Sequence, residues 1–303
     1  MTSHLPPSVS EGLPPWRVVD LPGRGPLRIR DSGAPPGGVV NAPVVLLLHG
    51  WTVSADLNWC RTYEPIARRA RVVAWDQRGH GAGGLRTSGR MRMEALADDA
   101  AAVVRALGVG RATAVGYSMG GAVAQAMWRR HPDLLDGLVL CATAMAFGLT
   151  TTERRDFAIM GASSLPARRA AALGREELGW QAARRASERQ AGTSMETGDA
   201  DFDRWAWDET RAGSLHHVLR AAWNLGRFDS SDWIHEVDVP HVVVVCGDDD
   251  VVPTARQRQL AHALPDATIL EIDADHAACV LRPDLFVPAL DSALDAVHGP
   301  APR

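Results

Sequence analysis

The feature that most limits what this chain can fold into is a repeated alternation of short apolar runs and longer helix-like segments. A continuous apolar run of strand length lies at residues 44–50 (VVLLLHG), further strand-like runs lie at 71–76 (RVVAWD), 112–118 (ATAVGYS) and 137–144 (GLVLCATA), and helix-like segments lie at 93–108 and 119–132. Strands that are apolar throughout are typical of parallel sheets covered by helices on both faces. The alternation therefore predicts an α/β fold with a mostly parallel, doubly wound central sheet.

The same alternation returns near the end of the sequence. Strand-like runs at 241–250 and 267–272 are followed by a helical segment at 283–297. Between the two stretches, residues 147–230 contain no strand-like run and are rich in Arg, Ala and Glu. We interpret residues 147–230 as a helical lid inserted into a single core.

The predicted core comprises residues 16–146 and 231–303. Within it, residues 16–31 hold two short strand-like runs on either side of a Gly-Pro segment, which predicts a β-hairpin. Residues 1–15 are rich in Pro and Ser and are expected to form a flexible N-terminal arm.

Charge and composition exclude several classes of function. The chain has 32 basic and 36 acidic residues and a formal net charge of -4, which supplies no cationic field for nucleic acid or anionic lipid. All the basic residues are Arg, because the sequence contains no Lys. A Walker A phosphate loop, Schiff-base chemistry and a Ser-Lys dyad all need a lysine ammonium group, and all three are therefore excluded.

The cysteines and the N-terminus bear on cellular location. Cys60, Cys141, Cys246 and Cys279 are far apart in sequence and form no CxxC pair, which favours reduced core residues over a zinc site or a disulfide framework. The N-terminus lacks the basic and apolar regions of a signal peptide, and no apolar run is long enough for a membrane span. We expect a cytoplasmic protein, with its oligomeric state left open.

The pentapeptide Gly116-Tyr117-Ser118-Met119-Gly120 is the strongest indication of chemistry. It lies between an apolar strand-like run and a helical run, which is the strand-turn-helix context that a GxSxG nucleophile turn needs. Such a turn is tight, and only small residues at both ends let the strand and the helix approach each other. A structural serine in an Ala-Gly turn is the alternative, and the context disfavours it.

A serine hydroxyl needs a base and an orienting carboxylate, in the chain order Ser, Asp or Glu, His. The strand-like run at 241–246 ends in a loop that carries Asp248, Asp249 and Asp250, and the next run is followed by His276. Both groups are therefore expected at the carboxyl edge of the sheet, where Ser118 also lies.

These motifs together resemble the α/β-hydrolase fold superfamily over nearly the whole chain outside the arm and the lid. The matching segments are HGW at 49–51, WDQRGHG at 75–81, GYSMGG at 116–121, GDDDVVP at 247–253 and DH at 275–276. The resemblance implies Ser118 as nucleophile, His276 as general base and then general acid, and one aspartate as orienter. It also implies an oxyanion hole formed by the backbone N–H groups of Trp51 and Met119. Neither a cofactor nor a metal is implied.

The resemblance leaves two candidates for the acid. Similar sequences place it four residues before the proline, which selects Asp249, or three residues after the glycine, which selects Asp250. We favour Asp249 because the DDVVP segment matches the typical end of the motif, and Asp250 remains the alternative.

Four other polar residues look reactive, but we interpret them as structural. The resemblance suggests that His49 braces the oxyanion loop and that His80 packs in a supporting turn. His216 and His217 are adjacent on a predicted lid helix and are expected to point in different directions, which disfavours a shared metal site.

The side chains then select among the chemistries that this fold carries. Dehalogenases and epoxide hydrolases that resemble this fold have an aspartate where Ser118 stands, and hydroxynitrile lyases depend on a lysine. Hydrolysis of a carboxylic ester of a small to medium apolar substrate, through an acyl-enzyme, is the leading hypothesis. A thioester, amide or C–C bond hydrolase with the same triad, and a noncatalytic ligand-binding receptor, remain alternatives.

Overall fold

The computed structural model describes residues 5–6, 9, 12–36, 42–85, 91–191 and 197–299. Within these residues eight strands form one sheet, in the spatial order β1-β2-β4-β3-β5-β6-β7-β8. The strands are β1 (Trp16–Leu21), β2 (Gly25–Asp31), β3 (Val44–Leu48), β4 (Arg71–Trp75), β5 (Ala112–Tyr117), β6 (Leu135–Cys141), β7 (His241–Cys246) and β8 (Thr268–Ile272). Strands β1 and β2 form the predicted antiparallel hairpin, and β3 to β8 run parallel.

The helices cover both faces of this sheet. They are α1 (Ala55–Trp59), α2 (Tyr63–Ala67), α3 (Met93–Ala106), α4 (Met119–Arg130), α5 (Thr151–Ala172), α6 (Glu176–Ala191), α7 (Ala200–Arg211), α8 (Leu215–Leu225), α9 (Thr254–Ala263), α10 (Ala278–Leu281) and α11 (Pro283–His298). Two large clusters of buried apolar side chains, one on each face, hold the helices to the strands. The prediction of a doubly wound α/β sheet is confirmed.

The predicted helical insertion is also present. Helices α5 to α8 follow β6 and precede β7, and no strand lies among them in the described part of the insertion. Trp180, Leu215 and Val218 form a small buried cluster of their own, separate from the two clusters on the sheet. The boundaries of the insertion at residues 147 and 230, and the boundaries of the core, remain predictions.

The described residues of the predicted arm contact the core. Val9 is buried, and the carbonyl oxygen of Pro14 accepts a hydrogen bond of 2.6 Å from Arg30. Residues 1–4, 7–8 and 10–11 of the predicted arm lie outside the described part of the chain.

The parallel strands set the position of the candidate site. The loops that follow β3, β5, β7 and β8 all leave the sheet at its carboxyl edge, and the motif residues lie in these loops. This edge is where open α/β sheets place their ligands.

Candidate active site

Ser118 occupies a strained turn between β5 and α4. Its backbone has φ 52° and ψ -116°, a left-handed conformation that costs energy for a residue with a side chain. A Cβ added at Gly116 would lie 2.4 Å from the carbonyl oxygen of Gly120, and one added at Gly120 would lie 2.0 Å from that of Leu48. The glycines are thus sterically required, and the turn has the strand-turn-helix form that the sequence predicts.

The base and the acid meet Ser118 in one hydrogen-bonded chain. The Ser118 hydroxyl lies 3.0 Å from Nε2 of His276, and Nδ1 of His276 lies 2.7 Å from Oδ2 of Asp249. Because a carboxylate only accepts, Nδ1 carries the proton and Nε2 is free to accept the serine proton. The Asp249 side chain is fully buried, whereas the His276 side chain is 21% exposed.

The two neighbouring aspartates are placed differently. Asp248 and Asp250 are exposed, and neither hydrogen-bonds His276 within the described residues. Asp248 instead hydrogen-bonds Asp273, and this contact between two carboxyl groups raises the pKa of Asp248. The geometry favours Asp249 as the triad acid over the alternative Asp250.

The loop that follows β3 lies beside Ser118. A Cβ added at Gly50 would lie 3.5 Å from that of Ser118, so the backbone of this loop passes close to the serine. The N–H of Trp51 has no acceptor among the described residues, and the N–H of Met119 lies in the first turn of α4, where amides have no partner within the helix. Both N–H groups are available to an oxyanion.

The first half of this loop is held by the core. The N–H of Gly50 donates to Oδ1 of Asn58 at 2.8 Å, and Nε2 of Gln77 donates to the carbonyl oxygen of His49 at 2.6 Å. The His49 ring accepts from the N–H of Gln77 at 2.7 Å and contacts the Gly50 carbonyl oxygen at 2.7 Å. Burial is the main cause, and together with the positive charge that His80 could carry it lowers the pKa of His49 to about 3. His49 is therefore a neutral brace.

Gln257 is a residue of the site that the sequence analysis missed. It is fully buried on α9, and its Nε2 donates to Oδ2 of Asp249 and to the Val252 carbonyl oxygen, at 2.8 Å each. Its Oε1 accepts from the N–H of Cys246 at 2.9 Å. Since the other oxygen of Asp249 accepts two backbone N–H groups at 2.9 Å, the carboxylate has four donors, counting His276. A lone glutamine in a helix gives no signal that could have found this role.

A carboxyl group of the insertion also reaches this region. Glu209 of α7 lies near Ser54, whose oxygen caps α1 by accepting from the N–H of Leu57 at 3.0 Å. Burial is the main cause, and together with the nearby carboxylates of Asp76 and Asp56 it raises the pKa of Glu209 to about 7.

The expectation for His216 and His217 was wrong in its geometry. Their rings do not diverge but lie 3.7 Å apart between centroids, because His216 turns toward Ser214, 2.9 Å away, while His217 lies over Gly79. Burial lowers the pKa of His217 to about 4. In the part of the chain that the structure describes, no group of three or more His, Cys, Asp or Glu side chains could hold a metal ion.

A cavity of about 500 Å³ lies away from the triad, between α5, α8 and the segment before α3. Its lining includes Arg92, Arg220, Trp223 and Asn224. Of the other lid tryptophans, Trp180 and Trp205 are buried at 4% and 2% exposure and pack inside the protein. No helix among the described ranges is long and apolar enough to cross a membrane.

Known proteins match the chain over most of its length. The α/β hydrolase fold family matches residues 43–283. A protein of Agrobacterium fabrum, provisionally named carbamate hydrolase RutD, is 29% identical over 81% of this chain and 90% of its own. A pimeloyl-[acyl-carrier protein] methyl ester esterase of Chromobacterium violaceum is 28% identical over 84% of this chain and 94% of its own. The solved structure of a thermophilic esterase from Thermogutta terrifontis superimposes with a TM-score of 0.73 at 24% identity, over 94% of this chain and 99% of that one, which shows the shared fold.

Proposed function

The chain belongs to the α/β hydrolase fold family, and from this premise we propose that it is a serine hydrolase that cleaves a carboxylic ester through an acyl-enzyme intermediate. The observation that carries the proposal is the chain of hydrogen bonds from Ser118 through His276 to Asp249, with separations of 3.0 and 2.7 Å. A nucleophile within reach of a base, and a base oriented by a third group, is the arrangement that activates a serine.

In the first half of the proposed reaction, Ser118 Oγ forms a bond to the ester carbonyl carbon while Nε2 of His276 takes the hydroxyl proton. Asp249 stabilises the positive ring that results, and the N–H groups of Trp51 and Met119 donate to the new oxyanion. His276 then gives its proton to the departing alcohol oxygen as the C–O bond breaks. The acyl group remains on Ser118.

In the second half, a water molecule takes the place of the alcohol. His276 removes its proton, the water oxygen attacks the acyl carbon, and the oxyanion forms again at the same two N–H groups. The bond to Ser118 breaks, Ser118 Oγ regains a proton from His276, and the carboxylic acid leaves. Every step uses His276 as the base and the same oxyanion site. The buried Asp249 carboxylate can orient the His276 ring throughout, while the partly exposed ring can reach substrate and water.

We propose a small to medium apolar substrate. Trp51, whose N–H is a proposed oxyanion donor, is only partly buried and packs with apolar side chains of both the sheet and the insertion, so the surroundings of this donor are apolar. The name of the Chromobacterium relative, a methyl ester esterase, agrees with ester chemistry, while that of the Agrobacterium relative refers to a carbamate.

The test is a panel of nitrophenyl esters of increasing acyl length, assayed with the wild type and with Ser118→Ala. We expect hydrolysis by the wild type with a cutoff in acyl length, and loss of nearly all turnover in a variant that still unfolds cooperatively. Undiminished hydrolysis by Ser118→Ala would contradict the proposal. If the protein turned over thioesters, amides or diketones but not esters, the proposed triad would stand and the proposed substrate would be wrong. Saturable binding of the esters without turnover would favour a noncatalytic ligand-binding receptor.

A further inference from the structure

The insertion and the proposed oxyanion loop are joined by one hydrogen bond. The indole N–H of Trp51 donates to the main-chain carbonyl oxygen of Val218 in α8, at 2.8 Å. Val218 is buried at 2% exposure, and Trp51 is partly buried, so water competes weakly for this bond. The residue whose backbone N–H is a proposed oxyanion donor is therefore held by its side chain to the insertion.

Packing makes the same connection. The apolar cluster of the insertion comprises Trp180, Leu215 and Val218, with Ala167, Ala183, Trp207 and Leu219 packed against it. Among its described members, Trp51 is the one that does not come from α5 to α8. The side chain of Trp51 also packs against one of the clusters on the sheet, so it joins the insertion to the core.

The core holds the loop on both sides of Trp51. The Gly50 N–H donates to Oδ1 of Asn58, and Gln77 donates to the His49 carbonyl oxygen. After Trp51, Ser54 caps α1 by accepting from the N–H of Leu57. Between these supports, the indole of Trp51 is the group through which the described loop is hydrogen-bonded to the insertion.

We propose that Trp51 is a positioning residue that makes the oxyanion hole depend on the seating of α8, an inference that rests on the proposed function. When α8 is seated, the indole bond holds the loop with its N–H directed at Ser118. When α8 moves away, the loop loses this support and the N–H leaves the place where charge develops. The insertion is then part of the catalytic apparatus as well as a cover, because donors to an oxyanion act only when they are held in advance.

The experiment compares Trp51→Phe with Trp180→Phe. Both changes keep an aromatic ring and the backbone N–H and remove one indole N–H from the same cluster. The indole N–H of Trp180 has no acceptor among the described residues, so Trp180→Phe is the matched control that breaks no hydrogen bond. The kcat and KM for a nitrophenyl ester are measured with the inhibition constant of a trifluoromethyl ketone, which forms an oxyanion on a nucleophilic serine.

For Trp51→Phe we expect kcat to fall at least about fivefold, and less than the roughly 10²- to 10³-fold loss that follows removal of a whole oxyanion donor. The inhibition constant should rise by the same factor, while KM changes less than about twofold, because only the transition state carries the charge. Trp180→Phe should match the wild type. Equal effects in both variants, or a change confined to KM, would overturn the proposal.

Hydrogen exchange decides the linkage independently of activity. In Trp51→Phe the amides of residues 51–54 and those of α8 should both exchange faster than in Trp180→Phe. Faster exchange in one segment alone, or in neither, would overturn the proposed link between Trp51 and α8. This result does not depend on activity, so it would stand apart from a failure of the proposed function, which a wild type without esterase activity would show.

Discussion

Gln257 offers a quantitative test of how the Asp249 carboxylate is held. Replacing Gln257 by Met keeps the length and approximate volume of the side chain and removes all three of its hydrogen bonds: to Asp249 and to the Val252 carbonyl oxygen, both at 2.8 Å, and from the N–H of Cys246 at 2.9 Å. The site is fully buried, so water does not replace the lost partners.

A matched control lies on α4. Gln125 is also fully buried, and it makes two hydrogen bonds, to the Ala144 carbonyl oxygen at 3.1 Å and from the Ser230 hydroxyl at 2.7 Å, without contacting the triad. Gln125→Met therefore removes two neutral bonds, whereas Gln257→Met removes two neutral bonds and one to a charged carboxylate.

The magnitudes follow from these bonds. A neutral hydrogen bond contributes about 0.5–1.5 kcal/mol and one to a charged group about 1.5–3 kcal/mol. The neutral bonds cancel between the variants, so Gln257→Met should lower the free energy of unfolding by about 1.5–3 kcal/mol more than Gln125→Met, measured by urea denaturation. Because Asp249 orients His276, a carboxylate that has lost one of its four donors should hold the ring less well in the transition state, and we expect kcat/KM to fall at least about tenfold, or about 1.4 kcal/mol, in Gln257→Met.

The two variants also separate positioning from stability. Gln125→Met should lose stability and keep its kcat/KM, because its bonds do not reach Asp249. If Gln257→Met kept the kcat/KM of Gln125→Met while losing more stability, Gln257 would be a structural residue and the reasoning about Asp249 would be refuted.

Two further predictions concern acidic side chains. Asp249→Asn should lower kcat by on the order of 10⁴, by analogy with the serine-protease triad, whereas Asp250→Asn, at an exposed position, should retain activity; equal losses would contradict the assignment of the acid. Glu209 has its ordinary pKa of 4.5 in the unfolded chain, whereas burial raises the pKa of Glu209 to about 7 in the folded protein. The free energy of unfolding of the wild type, compared with that of Glu209→Gln, should therefore fall as pH rises from about 4.5 to about 7. The change should be at most about 3 kcal/mol, and a difference in unfolding free energy that does not vary with pH would contradict it.

Much of the fold follows from local sequence pattern. The runs VVLLL of β3 and VVVVC of β7 are apolar on every residue because both faces of these parallel strands are covered, and that pattern predicts the sheet. The short helices α1 and α2 were not predicted. Five residues are too few to show a helical period, and α1 depends instead on Ser54, which caps it, and on Asp76, which accepts the N–H of Ala55 at 2.9 Å.

The arrangement of the candidate site was predictable in outline for a topological reason. Ser118, Asp249 and His276 each follow a parallel strand, and such strands bring their carboxyl ends to one edge whatever the distance along the chain. The sequence could not separate Asp249 from Asp250, because the direction of each side chain depends on the path of the loop. The bond from Trp51 to Val218 spans 167 positions and leaves no local pattern that could predict it.

The most direct test of the account is covalent labelling by a fluorophosphonate, which reacts with serines that a neighbouring base activates. At neutral pH, peptide mass analysis should find one adduct, on the peptide that contains Ser118, and His276→Ala should nearly abolish it. A wild-type protein in which Ser118 stays unmodified, or in which His276→Ala is labelled as fast as the wild type, would contradict the claim that these side chains activate this serine.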